Sequence, residues 1–127
     1  MIRLTRSQVL SLHSNLIQAT GGIDGVRDNA LLDSALESPF QTFDGKDIYP
    51  DIQHKAARLC YSLIQNHPFI DGNKRIGVHT MLTFLSLNGI EIDCSQHELA
   101  EMGLQAASGN MNADDLVEWI NDKTSQI

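Results

Sequence analysis

The chain has 127 residues, 42% of them apolar, which suits one globular domain (1–127) with a single core and argues against disorder. Its net charge of −7 disfavours non-specific nucleic-acid binding, which needs a basic face. No apolar run approaches the roughly 20 residues that span a bilayer, and no apolar signal core follows Met1–Arg6, so no membrane association is expected and the location reads as cytoplasmic.

In chain order, Thr5-Arg6-Ser7-Gln8 has the form of a capping box, and Val9, Leu12 and Leu16 follow at helical spacing until Gly21-Gly22 ends the helix. His13 on this helix has no metal-spaced partner and reads as a partly buried or surface histidine. Asp28 can cap a short second helix with Leu31, Leu32, Ala35 and Leu36 on one face, stopped by Pro39. The helical period breaks over residues 40–51, where Phe40, Phe43, Ile48 and Tyr49 flank Asp44-Gly45, a dipeptide that favours a hairpin turn; a plain connecting loop is the alternative.

Helical spacing resumes from Gln53 to Asn66, with Ala56, Ala57, Cys60, Leu63 and Ile64 marking a central, largely buried helix. Cys60 reads as a small buried hydrophobe, and Cys60 and Cys94 lack the spacing of a zinc site or disulfide scaffold. A polar bend follows, and then a helix to about Leu87 that Asn88-Gly89 closes. Ile90 and Ile92 alternate with polar residues over too short a run for a strand. Ser95-Gln96-His97-Glu98 forms a second capping box for a helix to about Ser108, and Asn112 caps the last helix, with Leu116, Trp119 and Ile120 inward. The class is all-α with a small β-hairpin.

The polar bend is His67-Pro68-Phe69-Ile70-Asp71-Gly72-Asn73-Lys74-Arg75. Pro68 disfavours helix at His67, so the preceding helix ends there and the bend forms the tip of an αα-hairpin. The backbone N–H groups of Gly72, Asn73, Lys74 and Arg75 then lie at a helix N-terminus, where unpaired donors and the helix dipole favour an anion. Lys74 and Arg75 add positive charge that opposes the dipole unless a phosphate is bound. Asp71 can cap the helix or, as a hard carboxylate beside a phosphate site, hold Mg²⁺. His67, with an ordinary pKa of about 6.5, is available as a general base, or it is a satisfied histidine at a helix end. Asn73 either orients a phosphate or fixes the loop, and Phe69 anchors the bend in the core. A base, a carboxylate and a phosphate cradle together suit phosphoryl or nucleotidyl transfer.

The bend resembles the His-Pro-Phe-x-Asp-Gly-Asn-x-Arg signature of the Fic/Doc family. AMP-transferring members usually carry Gly at the position of Lys74 and a second Arg at that of Val78; the Doc branch reads Asn-Lys-Arg and lacks the second Arg, as here. The resemblance implies a Fic-like helical bundle in which His67 takes the proton of a target hydroxyl, Asp71 binds Mg²⁺, and Gly72 to Arg75 hold the transferred phosphate of ATP. It implies that residues 40–51 form a flap, with Phe43, Asp44, Gly45 and Lys46 positioning the target by strand pairing. It further implies a protein Ser/Thr kinase acting on elongation factor Tu as a toxin, restrained by a small Phd-like antitoxin, since the self-inhibitory Ser/Thr-x-x-x-Glu-Gly/Asn pattern is not found. AMP transfer and a non-catalytic binding module are the alternatives.

Overall fold

Side-chain caps set the start of every α-helix but one in the computed structural model, which describes residues 1–124; the last three of the expected 1–127 unit lie outside the described residues. Thr5 and Gln8 close a capping box on α1 (Arg6–Thr20), Asp28 accepts from the Leu31 N–H to open α2 (Asn29–Glu37), and Asp51 accepts from His54 to open α3 (Ile52–Asn66). The exception is α4 (Asn73–Leu87), which starts at Gly72 with no side-chain cap. Capping boxes from Ser95 and Asn112 open α5 (Gln96–Ala107) and α6 (Ala113–Lys123). Between α2 and α3 the chain makes one 3₁₀ turn, Ser38–Phe40, and a hairpin of β1 (Thr42–Phe43) and β2 (Lys46–Asp47). The all-α reading with a small hairpin therefore holds.

The antiparallel pair α3 and α4 forms the centre, with α2 and α6 packed on α3 and with α1 and α5 on α4. Gly77 lets the central pair approach: a Cβ there would lie 2.9 Å from Ile64 Cγ1 and 3.1 Å from the Cys60 carbonyl oxygen. Leu63, Ile76, Met81, Phe84, Leu116 and Ile120 are fully buried around this contact, each contributing about 1.5–3 kcal/mol by leaving water. Burial pushes the Cys60 thiol up to about 12, so it behaves as a small hydrophobe. Trp119 lies at the edge of the core, half-buried against it. At the C-terminal end the Asp93 N–H donates to the Lys123 carbonyl (2.7 Å) and Lys123 pairs with Glu98, which holds the Glu98 carboxyl down at about 2. Ile92 forms only an isolated bridge with Thr124.

One expectation needs correction. The inward line of α1 is Val9, His13 and Ile17, with Leu12 and Leu16 half-buried beside it, so His13 is a core residue at 1% exposure. In α3 the buried face includes a charge: Lys55 is 1% exposed, its amine bonded to Asp47 (3.2 Å) and to the Tyr49 carbonyl. A lysine reads as polar in any periodicity pattern, but its long apolar stem can be buried where the amine finds acceptors at the far end.

Candidate active site

Helix α3 stops at Asn66 because Pro68 excludes helical geometry at His67, which instead adopts the left-handed conformation (φ 53°, ψ 51°). The reversal exposes the imidazole, whose ring makes no hydrogen bond among the described residues, while the loop before α2 supports the backbone. Arg27 donates through Nε to the His67 carbonyl (2.7 Å) and through Nη2 to that of Asn66 (3.0 Å), covering orphan carbonyls of the helix end. The Arg27 and Asp28 N–H groups both donate to the Pro68 carbonyl (2.7 and 3.0 Å), and Ile70 N–H donates to Gly25 (3.0 Å). Phe69 is buried, as expected of an anchor, and its ring stacks on His13 at 3.8 Å.

The start of α4 follows. Asn73 is 4% exposed and spends its side chain on the loop: Oδ1 accepts from the Phe69 N–H (2.9 Å) and Nδ2 donates to the Phe69 carbonyl (3.0 Å). Of its two sequence readings, the side chain takes the one that fixes the loop, leaving the backbone N–H for an anion. The Gly72 N–H is taken by the Asp71 carboxylate (2.8 Å), whereas the N–H groups of Asn73, Lys74 and Arg75 have no acceptor among the described residues. The cradle thus has three free amides, without that of Gly72.

Asp71 does not cap α4; Gly72 holds that position with φ 77°. The Asp71 carboxylate accepts from the Ile23 N–H (3.2 Å) and that of Gly72, and lies 3.6 Å from Arg75 Nη2. The Ile23 bond above all and then the Gly72 bond hold its pKa below the usual carboxylate range against desolvation, with a smaller contribution from the charge of Arg75. The carboxylate is 44% exposed, and no cluster of three or more His, Cys, Asp or Glu side chains suited to a metal occurs among the described residues. One accessible carboxylate beside free amides fits Mg²⁺ that arrives with phosphate oxygens and keeps its waters, rather than a protein cage.

The two cations diverge. Arg75 turns back to α1, donating through Nη1 to Thr20 Oγ1 (2.5 Å) and to the Gly21 carbonyl (2.8 Å) at the negative end of that helix. Lys74 is exposed, with its stem against Gly103 of α5, where a Cβ would lie 3.5 Å from Lys74 Cγ. Both line a cavity of about 370 Å³ between α1, α4 and α5, together with Leu16, Val78, Leu82 and Leu99. At the flap, Asp44 and Gly45 both take positive φ (54° and 77°), as the tight two-residue turn requires, between the pairs Thr42–Asp47 and Phe43–Lys46. Phe43, Asp44, Gly45 and Lys46 are all exposed, and no hydrogen bond or ion pair among the described residues joins them to the motif loop.

The sequence reading gave no role to Arg27 or Lys55 and did not place His13 in the core; His13 and Arg27 meet partners 58 and 40 residues away, whereas those of Lys55 lie six and eight residues before it.

Comparison with known proteins matches the geometry. The model of the Fic/DOC family covers residues 3–85, which includes the whole motif and its supports from α1 and the Gly25–Asp28 loop. The chain is similar to a protein named toxin Doc from Mycolicibacterium smegmatis, 44% identical over 89 residues, or 70% of this chain; that match spans 66% of the relative's own length, just under two thirds. It is also similar to a protein named protein kinase doc from Escherichia phage P1, 25% identical over 120 residues and 94% of each chain. With a family match over more than half the chain, one that includes the whole motif loop, this chain belongs to the Fic/DOC family.

Proposed function

We propose that this protein is a Doc-like toxin that transfers the γ-phosphate of ATP to a Ser or Thr hydroxyl of a protein target, with elongation factor Tu the first candidate. The observation that carries the reading is the pairing of an exposed, unbonded His67 ring with three free amides and the Asp71 carboxylate on one short loop. In this scheme His67 takes the hydroxyl proton while the target oxygen bonds to the γ-phosphorus. The bond from phosphorus to the bridging oxygen breaks, and ADP leaves with that electron pair. The amides of Asn73, Lys74 and Arg75 hold phosphate oxygens, and Asp71 would hold Mg²⁺, which supplies charge neutralisation on them when bound.

Support for phosphate rather than AMP transfer comes from Lys74 and Val78. Lys74 places a side chain where AMP-transferring members have none, and Val78 is 8% exposed and apolar, with nothing to offer a terminal phosphate. Incubation with a bacterial lysate or elongation factor Tu and ATP labelled at either phosphate tests this: label from the γ position is expected on the target. Label from the α position assigns AMP transfer; no label together with no Mg²⁺-ATP binding assigns a non-catalytic module. His67→Ala is expected to abolish transfer and retain ATP binding, because the cradle comes from other residues.

A Phd-like antitoxin is proposed as the partner. Three cavities follow one another along the outer face of α4 from Lys74 to Leu87, sharing His79, Leu82, Thr83 and Leu87, with Leu4 ahead of α1 and Leu12 and Leu16 on it forming one wall. At 1.5 Å per residue this groove is about 20 Å long, the length of a short amphipathic helix. Its cationic end at Lys74 and Arg75 suits acidic residues on that helix. Growth arrest on expression alone, relieved by a co-expressed antitoxin, is the expected outcome.

A further inference from the structure

We propose that His13 is a positioning residue of the transfer site, fixing the Asp71 main chain from inside the core and so aiming its carboxylate; this rests on the reading of Asp71 given above. His13 is 1% exposed, yet its neighbours on the inward line of α1, Val9 and Ile17, are aliphatic. A residue needed only to fill that space would carry no polar nitrogen, since burying one without a partner destabilises the fold. Both ring nitrogens face specific oxygens. Nε2 lies 2.7 Å from the Asp71 carbonyl, and because a carbonyl only accepts, Nε2 bears the proton. Nδ1 lies 3.4 Å from Asp24 Oδ1.

The Asp71 carbonyl has no other donor. Helix α4 begins two residues later, and the Ile76 N–H reaches Gly72 (2.8 Å), so no backbone amide among the described residues serves Asp71. The ring is held in plane by Phe69, stacked at 3.8 Å with 10° between the planes, and Phe69 is itself pinned at N–H and carbonyl by Asn73. His13 thus joins α1 to the residue whose side chain would meet a phosphate-bound metal. The carboxylate is held from outside by Ile23, next to Gly22, where a Cβ would sit only 2.6 Å from Asp71 Oδ2. With Arg75 bonded to Thr20 and Gly21, the end of α1 and the residues just after it hold Arg75 and Asp71 together.

The test uses His13→Phe, which keeps a stackable ring without the donor, and His13→Gln, whose amide restores an N–H near the same place. In both proteins the amide exchange of Ile23 and Gly72, the two donors to the Asp71 carboxylate, reads the geometry without nucleotide. Expected for His13→Phe are retained helical circular dichroism, at least tenfold faster exchange at those two amides, and a roughly 100-fold loss of kcat/KM for Mg²⁺-ATP, the effect of misplacing a group by about 1 Å. The KM for the protein acceptor should stay unchanged, and His13→Gln should recover most of both losses. Should His13→Phe not fold, His13→Met, flexible and without a donor, takes its place. Wild-type exchange in the folded donorless variant overturns the proposal, as does faster exchange with undiminished transfer. If the wild type transfers no phosphate, the functional reading fails while the exchange data still decide whether His13 holds Asp71.

Discussion

Helix α3 is entered through the flap and left through the motif loop, and the two bends differ in how much of their backbone is already bonded. In the motif loop the carbonyls of His67, Pro68, Phe69 and Asp71 and the N–H groups of Phe69, Ile70 and Gly72 all have partners, drawn from α1, α4, the Gly25–Asp28 loop and, for Gly72, the Asp71 carboxylate. In the hairpin proposed as the flap, the backbones of β1 and β2 bond only to each other among the described residues, all their residues are exposed, and the side-chain attachments beside it include Lys55 on Asp47 and the Tyr49 carbonyl and Arg58 stacked at 4.8 Å on the Tyr49 ring. The proposed transfer, which needs phosphate, metal and base placed within a fraction of an ångström, would gain from ordering completed during folding. A surface that grips an extended peptide by strand addition needs unpaired edges, and those of β1 and β2 are available.

The strongest way to break this contrast is Asn73→Ala. It strands the buried N–H and carbonyl of Phe69, so a loss of about 3 kcal/mol or more is expected in denaturant unfolding, together with loss of transfer. Lys55→Met should detach the flap and spare the motif. The remaining Asp47 is half exposed and regains water, so the loss is about 1–2 kcal/mol, mainly from the Tyr49 carbonyl. Amide exchange of Ile48, which donates to Gln41 beside the hairpin, should accelerate while that of Phe69 does not.

Acid titration gives a smaller effect, confined to the motif side. Because the folded protein lowers the Asp71 pKa, that carboxylate contributes stability above its unfolded value of about 3.9, and the contribution fades as pH falls through the folded value. Asp71→Asn should flatten this part of the acid unfolding curve, measured by circular dichroism between about pH 5 and pH 2. The smallest stability effect belongs to Phe43→Ala. Phe43 is 79% exposed, so the stability change should stay within about 0.5 kcal/mol, while the KM for the protein acceptor rises. An unchanged acceptor KM would remove the flap from target positioning.

Much of this fold was legible because its helices announce their starts: Thr5 with Gln8, Asp28, Ser95 with Glu98, and Asn112 are local signals whose partners lie three residues away. The motif was legible for the same reason, as one contiguous stretch. What could not be read was support across the chain. His13 meets Asp71 at a separation of 58 residues and Arg27 meets His67 at 40, and neither residue type carries a pattern that names its partner. Of the two readings Asp71 allowed, the cap is not taken, because the left-handed Gly72 holds that position and turns the carboxylate to Ile23.

The left-handed backbone at His67 has a consequence for laboratory evolution. A residue with a Cβ is disfavoured there by about 1–2 kcal/mol, a strain that glycine does not carry. His67→Gly should therefore unfold at a higher temperature than the wild type while transferring nothing, whereas His67→Ala keeps the strain. Under the proposed toxin reading, screening a library for heat resistance and screening it for host growth would then enrich the same substitution. Hardening this scaffold requires scoring each clone for phosphate transfer alongside its melting point, or the imidazole will be the first group lost.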